Sequence, residues 1–157
     1  MKDISKVQMR YIYRREWKSK YVTLSQIVEW TRSGKYEAGV NAARGLTAVA
    51  MDGGMVSGPM AAERLPIIRP AFDDQGHYTG LVLLSFHVDE GFETLERLRK
   101  TVNMWEQTLL SFVSATGRAL EVLVSYKLTG GGLPQEESQV ALFQHYAYKR
   151  AAEFAYA

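Results

Sequence analysis

The sequence predicts an α+β protein with a single mixed or antiparallel sheet and helices packed against it. An apolar run at 81–88 is typical of a buried strand. Helical periodicity follows at about 91–105. Apolar runs on both sides of the small-residue turn 115–118 then predict a hairpin. We expect residues 1–157 to form one domain, because a chain of this length buries most of its unfolded surface.

The first half of the chain carries strand and helix signals in alternation. Alternating polarity over 7–14 predicts a strand with one polar face. Thr23 and Gln26 have the spacing of a capping box, so a helix is expected to begin there and to end at Gly34. Shorter elements are predicted at 37–44 (helix), 47–51 (strand) and 65–72 (an extended edge segment, since it holds two prolines).

The second half is expected to form most of the core. The run 81–88 barely alternates, which favours a central strand with both faces covered. A final helix is predicted to open at Pro134, with Glu136 and Glu137 in its first turn. Its buried stripe would be Val140, Phe143, Ala147, Ala151 and Phe154.

Composition excludes several classes of protein. Hydrophobic residues make up 46% and charged residues 23%, which is ordinary for a globular domain. The absence of cysteine excludes disulfides and thiolate metal sites. No apolar run approaches the roughly 18 residues of a membrane span, and the polar start lacks an apolar signal core. We therefore expect a cytoplasmic protein without a membrane partner.

Basic residues cluster at the N-terminus, although the whole chain carries only +2. Residues 1–20 hold two acids, Asp3 and Glu16, and seven basic side chains: Lys2, Lys6, Arg10, Arg14, Arg15, Lys18 and Lys20. Four aromatic residues are interleaved with them: Tyr11, Tyr13, Trp17 and Tyr21. Such a segment can bind phosphates and stack bases. The alternative is an edge hairpin whose charges prevent aggregation.

Known catalytic and nucleotide-binding motifs are absent. The sequence has no GxxxxGK[ST], no HExxH and no GxSxG, and its three histidines lack ligand spacing, so no metal site is predicted. The turn 114–118 combines small hydroxyl residues with Gly117 and Arg118. Its amides and arginine could hold a phosphate, although an ordinary hairpin turn would also favour glycine here.

The end of the strand 81–88 is a candidate site because ligands bind beyond strand ends in sheets with crossover helices. Ser85 and His87 lie two residues apart and would share one face. A polymerase needs two carboxylates there, since Mg²⁺ prefers oxygen ligands and must bridge phosphates. With Asp89 this stretch offers at most one acid. The alternative is a strand end without a catalytic role.

Five features together resemble the N-terminal domain of the virulence-associated protein E type proteins of Bacteroidales mobile elements. The resemblance covers about residues 5–155. In chain order the features are Arg32-Ser33-Gly34-Lys35-Tyr36; Arg44; Arg64-Leu65-Pro66 before a segment ending in Phe72; Thr79-Gly80-Leu81-Val82; and the stretch from Ser114 to Val124.

The resemblance implies a primase-polymerase-like fold in a replication or mobilisation protein, with a helicase-like or other replication protein as partner. The family's Asp-x-Asp pair falls on Ser85 and His87. Its Ser-x-Ser-Gly-x-Gly-Leu signature falls on Ser114, Thr116, Gly117, Ala119 and Leu120, so the second glycine is replaced as well. Both changes imply a catalytically degenerate member that needs no cofactor.

Three functional hypotheses follow. The first is a degenerate primase-like domain that binds single-stranded DNA or RNA or a replication partner. Its expected nucleic-acid or phosphate contacts are Arg10, Arg14, Arg15, Lys18, Arg44, Ser114, Thr116, Gly117 and Arg118. The second is a residual nucleotidyltransferase that uses Mg²⁺ or Mn²⁺ with Asp89, His87 and Glu121. The third is a protein–protein adaptor that does not bind nucleic acid.

Overall fold

Helices and antiparallel strands occur in similar amounts in the computed structural model, which confirms the α+β class. The structure describes residues 6–45, 49–51, 54–56, 65–88, 91–128 and 130–155. Contacts within the chain define two compact units. The first is Met1–Arg69 with Ala115–Gly117, and the second is Pro70–Ser114 with Arg118–Ala157. The single-domain organisation stays a prediction.

The first unit begins with an antiparallel hairpin of β1 (Lys6–Tyr13) and β2 (Glu16–Thr23). Residues 14 and 15 form its two-residue turn. Val7 and Val22 pair across the strands and are buried, whereas the residues beside the turn are exposed. Apolar packing therefore holds the base of the hairpin, and its turn end is left to solvent.

The predicted capping box opens α1 (Leu24–Arg32). The Gln26 amide donates to the Thr23 hydroxyl at 3.1 Å, and the Thr23 amide donates to the Gln26 side-chain oxygen at 3.0 Å. Two of the amides left unpaired at a helix start are thereby satisfied. Gly34 follows with φ of +79°, a value that glycine adopts without a steric penalty.

The remaining elements of the first unit are short. They are α2 (Glu37–Ala43), β3 (Val49–Met51) and β4 (Gly54–Val56), with β3 and β4 paired antiparallel. The next strand, β5 (Ile67–Asp73), lies at the edge of a sheet with the order β2-β1-β5. Its place at an edge confirms the prediction from the prolines, which cannot donate to a strand ladder.

The second unit contains β6 (Leu81–His87), α3 (Phe92–Asn103), β7 (Thr108–Val113), β8 (Ala119–Ser125) and α4 (Glu137–Ala155). Its sheet has the order β6-β8-β7, and β8 is antiparallel to both neighbours. The strands β6 and β7 are therefore parallel to each other, with α3 connecting them along the chain. The predicted succession of strand, helix and hairpin is confirmed.

Two expectations about the sheet are wrong. The described strands form three sheets instead of one. In addition, β6 lies at an edge and β8 is central. The expectation that both faces of this strand are covered holds only at its start, because Ser85 and His87 on one face are exposed. An apolar run also does not report whether both backbone edges of a strand are paired.

One face of this sheet forms the main core with α3 and α4. Its buried members are Val82, Leu84, Phe86, Leu95, Val102, Leu120, Val122, Val124, Ala147 and Ala151. At the edge of β6 that β8 does not cover, the Tyr148 hydroxyl donates to the Leu83 carbonyl at 2.8 Å. The sheet is thus packed against helices, and a side chain of α4 contacts its open edge.

The final helix begins at Glu137, three residues after the predicted start at Pro134. Val140, Ala147 and Ala151 of the predicted stripe are buried, and Phe143 is half-buried. The Phe154 side chain lies outside the described part of the structure. Among the helices that the structure describes, none has the length and apolar character needed to cross a membrane.

Candidate functional site

The β1–β2 hairpin with its turn, residues 6–23, carries a large excess of positive charge; we call it the basic hairpin. It holds a single acid, Glu16, and six cations: Lys6, Arg10, Arg14, Arg15, Lys18 and Lys20. The N-terminal basic cluster that the sequence predicts is therefore carried by paired strands. The earlier members of that cluster, Lys2 and Asp3, lie outside the described residues.

The turn of the basic hairpin is built from two arginines in the left-handed region. Arg14 has φ of +49° and Arg15 has φ of +70°, as in type I′ turns, whose twist matches that of paired strands. Asparagine and glycine are the usual residues here, and each arginine costs about 1–1.5 kcal/mol. Strain of this kind is common at functional sites, so the arginines are candidates for a functional role.

Register divides the side chains of the basic hairpin between two faces. Tyr11 pairs with Lys18, and Tyr13 pairs with Glu16. We call this side the tyrosine face; its aromatic and charged residues are Tyr11, Tyr13, Glu16, Lys18 and Lys20, and the buried Val7, Met9 and Val22 lie on the same side. Arg10 pairs with Ser19 and Ile12 pairs with Trp17 on the opposite side, which we call the tryptophan face; its charged and aromatic residues are Lys6, Arg10, Trp17 and Tyr21.

Cations lie over aromatic rings on both faces. On the tyrosine face, the Lys18 Nζ is 5.3 Å from the Tyr13 ring centroid and the Lys20 Nζ is 5.1 Å from that of Tyr11. On the tryptophan face, the Arg10 guanidinium is 5.5 Å from the Trp17 centroid. Each such contact is worth about 0.5–1 kcal/mol at an exposed site. These contacts hold positive charge beside flat rings on both sides of the ribbon.

Trp30 and Lys35, which were not among the predicted site residues, extend this arrangement. The Lys20 Nζ lies 4.9 Å from the Trp30 centroid, and the Lys35 Nζ lies 4.1 Å from it. Lys35 also lies 5.8 Å from the centroid of Tyr36. Their positions follow from the packing of α1 beside β2, for which no short motif exists. Two cations thus contact the Trp30 ring, just as Arg14 and Lys18 both contact the Tyr13 ring.

Three rings of the basic hairpin remain accessible for stacking. Tyr13 is 49% exposed, Trp17 is 41% exposed and Tyr21 is 43% exposed. Accessible aromatic rings among cations are the combination that binds single-stranded nucleic acid, since rings stack on bases and cations attract phosphates. The structure therefore brings four residues of the predicted set together on the basic hairpin, beside these exposed rings: Arg10, Arg14, Arg15 and Lys18.

The predicted phosphate turn 114–118 has internal contacts. The Arg44 Nε donates to the Ala115 carbonyl at 3.2 Å, and the Ser114 hydroxyl accepts from the Ala119 amide at 3.2 Å. Gly117 has φ of +75°, as a tight hairpin turn requires. Arg44 is thus brought to this turn, and Thr116 and Arg118 are exposed. A phosphate role for these residues stays a prediction.

The end of β6 brings Ser85 and His87 to one face, as the period of two predicts. Ser85 pairs with Glu121 of β8, and its hydroxyl donates to the Glu121 carboxylate at 3.0 Å. Burial raises the pKa of the Glu121 carboxyl, and the Ser85 hydrogen bond and the electrostatic effect of His87 oppose that rise. The third residue of the predicted set, Asp89, lies outside the described residues.

This cluster has one carboxylate bound to a serine, whereas a two-ion site for phosphoryl transfer needs carboxylates that bridge two metals. Within the described ranges, the structure has no group of three or more histidine, cysteine or acidic side chains able to hold a metal. The cluster can accept hydrogen bonds and carry one negative charge.

The Thr79-Gly80 part of the resemblance has a structural role. The Thr79 hydroxyl donates to the Pro70 carbonyl at 2.5 Å and accepts from the Leu81 amide at 3.1 Å. Gly80 has φ of +70°, and a Cβ there would lie 2.5 Å from the Tyr126 carbonyl oxygen. Only glycine fits this position, so the motif fixes how the chain enters β6.

Comparison with known proteins identifies the second half of the chain. No curated protein and no solved structure matches it. A family model does match, over residues 72–157, which is more than half of the chain and includes β6, α3, β7, β8 and α4. The chain therefore belongs to the family described as BT4734-like, N-terminal domain.

Proposed function

We propose that the chain is a catalytically degenerate primase-like domain of the virulence-associated protein E type, from a replication or mobilisation protein of a mobile element. It binds single-stranded nucleic acid through the basic hairpin. The observation that carries this proposal is the combination of six cations with exposed Tyr13, Trp17 and Tyr21 on one pair of strands. The resemblance adds a helicase or other replication protein as partner.

Charge and stacking contribute separately to this binding. Cations attract the phosphates through counterion release, which makes the affinity salt-dependent. Each stacked ring contributes about 1–3 kcal/mol without selecting a base sequence. Only Glu16 opposes the charge of the basic hairpin. We therefore expect binding that tolerates many sequences and weakens steeply as salt is added.

The cluster at the end of β6 supports the degenerate character of the domain. Where the resemblance expects an acid pair, this chain has Ser85 and His87. The carboxylate that the structure places against Ser85 belongs to Glu121 and is engaged by the serine hydroxyl. A serine and a histidine cannot replace two carboxylates as Mg²⁺ ligands, because Mg²⁺ prefers charged oxygen.

Fluorescence anisotropy with a labelled DNA single strand tests the proposal. At low salt we expect a dissociation constant in the micromolar range or below, with weaker binding at moderate salt. Replacing Trp17 by alanine should weaken binding about 5- to 150-fold, the equivalent of one lost stacking contact. Tyr146→Ala on α4 is the matched control, because Tyr146 is 60% exposed and lies outside the basic hairpin. Absence of binding at micromolar protein in both salt conditions refutes the proposal.

A further inference from the structure

We infer that the tryptophan face alone binds the nucleic acid, and that its ligand is an extended single strand whose bases are unstacked from one another. This inference rests on the proposed function, because it names the binding face and the ligand class of the same basic hairpin. Trp17 and Tyr21 each stack on one base, and Lys6 and Arg10 contact phosphates of the strand. A flexible pyrimidine strand meets these requirements better than a strand that stacks on itself.

Contacts within the protein occupy much of the tyrosine face. Its hydrophobic residues at the base of the basic hairpin are buried: Val7, Met9 and Val22. The Tyr36 hydroxyl donates to the Met9 sulfur at 3.9 Å. The Trp30 ring of α1 lies over Lys20, with 4.9 Å between its centroid and the Nζ. On the tryptophan face of residues 6–23, in contrast, no residue is buried, so a nucleic-acid strand can lie there without displacing a packed side chain.

Charge also distinguishes the two faces. Glu16 lies on the tyrosine face, directly opposite Tyr13. A strand stacked on Tyr13 would bring its phosphates beside this carboxylate, and like charges repel each other. Within residues 6–23, the tryptophan face carries Lys6 and Arg10 and no acid. The charge of the tryptophan face is therefore complementary to that of phosphate.

Rings and cations alternate along the tryptophan face. In order from the turn, it presents Trp17, Arg10, Tyr21 and Lys6. Successive side chains on one face of a strand are about 6.7 Å apart, so the two rings are about 13 Å apart. The bases of a stacked strand are only about 3.4 Å apart. Two rings at this distance with a cation between them therefore match an extended strand whose bases have separated.

Fluorescence anisotropy with labelled oligo-dT and oligo-dA of equal length tests the ligand class. Thymine strands are flexible, whereas adenine strands stack on themselves and must unstack in order to bind. We expect oligo-dT to bind at least about fivefold more tightly than oligo-dA. Equal affinity, or a preference for oligo-dA, overturns the inference and leaves the proposed function standing. Failure to bind either probe at low salt overturns both.

Three substitutions of rings with similar exposure test the assignment to one face: Trp17→Ala, Tyr21→Ala and Tyr13→Ala. We expect Trp17→Ala and Tyr21→Ala each to weaken oligo-dT binding at least about fivefold more than Tyr13→Ala does. Similar losses for Tyr13→Ala and Trp17→Ala overturn the assignment, since they indicate that both faces bind. Tyr146→Ala is again the control, and thermal unfolding of each variant shows whether the fold is intact.

The conservative variant Trp17→Phe gives a second measurement. A base stacked on Trp17 should quench the fluorescence of this residue when oligo-dT is added. Phenylalanine also offers a ring to a base, so Trp17→Phe should keep the affinity within about threefold and lose the quenching. Quenching of the same size in Trp17→Phe overturns the inference, because the base would then lie against another tryptophan.

Discussion

Replacing both turn arginines by the residues that a type I′ turn prefers should increase stability and weaken nucleic-acid binding. The change is Arg14→Asn together with Arg15→Gly. Both arginines lie in the left-handed region, with φ of +49° and +70°. Glycine enters that region freely and asparagine enters it more easily than arginine, so the backbone strain of the turn is relieved.

The size of the stability effect follows from two opposing terms. Relief of two left-handed residues returns about 2–3 kcal/mol. The added glycine makes the unfolded chain more flexible, which costs about 0.5–1 kcal/mol. The net gain is about 1–2 kcal/mol in the free energy of unfolding of the whole chain. For a chain of this length, that gain corresponds to an increase in Tm of about 3–6 °C.

The affinity for nucleic acid, in contrast, should decrease in this variant. If both guanidinium groups neutralise phosphates, their removal reduces the slope of log K against log salt by about 1.4 for a single strand. Urea unfolding measures the first effect, and anisotropy across a salt series measures the second. Arg97→Gln with Arg99→Gln on α3 is the control. It removes the same charge from exposed positions, where the ion pair between Arg99 and Glu96 contributes little.

If the turn variant is no more stable than the wild type, Arg14 and Arg15 are not strained and the prediction is refuted. The assignment of Arg14 and Arg15 to phosphate contacts fails if the salt slope is unchanged, or if the control variant reduces it equally. A gain in stability together with a loss of binding would show that the turn sacrifices stability for function.

Two further predictions concern the second unit. Burial raises the pKa of Glu121, so the folded state holds its proton more tightly than the unfolded state and stability falls as pH rises through the raised pKa. Glu121→Gln, which keeps an acceptor for Ser85, should therefore be more stable than the wild type at pH 7. Urea unfolding should show this difference in stability disappear below the ordinary glutamate pKa. A difference that does not change with pH would contradict the prediction. Leu95→Ala should cost about 2–5 kcal/mol of unfolding free energy, because Leu95 is fully buried in the core. The exposed Leu142→Ala should cost less than about 0.5 kcal/mol, and similar losses for both would contradict the packing described.

Local signals predicted local structure well. The spacing of Thr23 and Gln26 located the start of α1, because a capping box involves only residues three apart. The prolines placed the segment 65–72 at an edge, since a missing amide is a property of the residue itself. The position of β6 was not predictable in this way. Its apolar run resembles that of a central strand, but pairing depends on partners far along the chain.

In the candidate sites, too, local features were predictable from the sequence and contacts between distant residues were not. Alternation along β6 was enough to place Ser85 and His87 on one face. The contact between Ser85 and Glu121 depends on the register of β6 with β8, which is fixed by a connection through α3 and β7 and has no sequence signal of its own. In the basic hairpin, the charges and rings were visible in the sequence. The turn at Arg14 and Arg15 was not, because neither residue is typical of it.

The bond between the Tyr148 hydroxyl and the Leu83 carbonyl has a consequence for self-association. An edge strand with free acceptors is a template on which a strand of another chain can add. Here the acceptor at the middle of β6 is already occupied, so a second molecule could extend the sheet only after breaking that bond and displacing the tyrosine. A single phenol group thus opposes polymerisation along this edge.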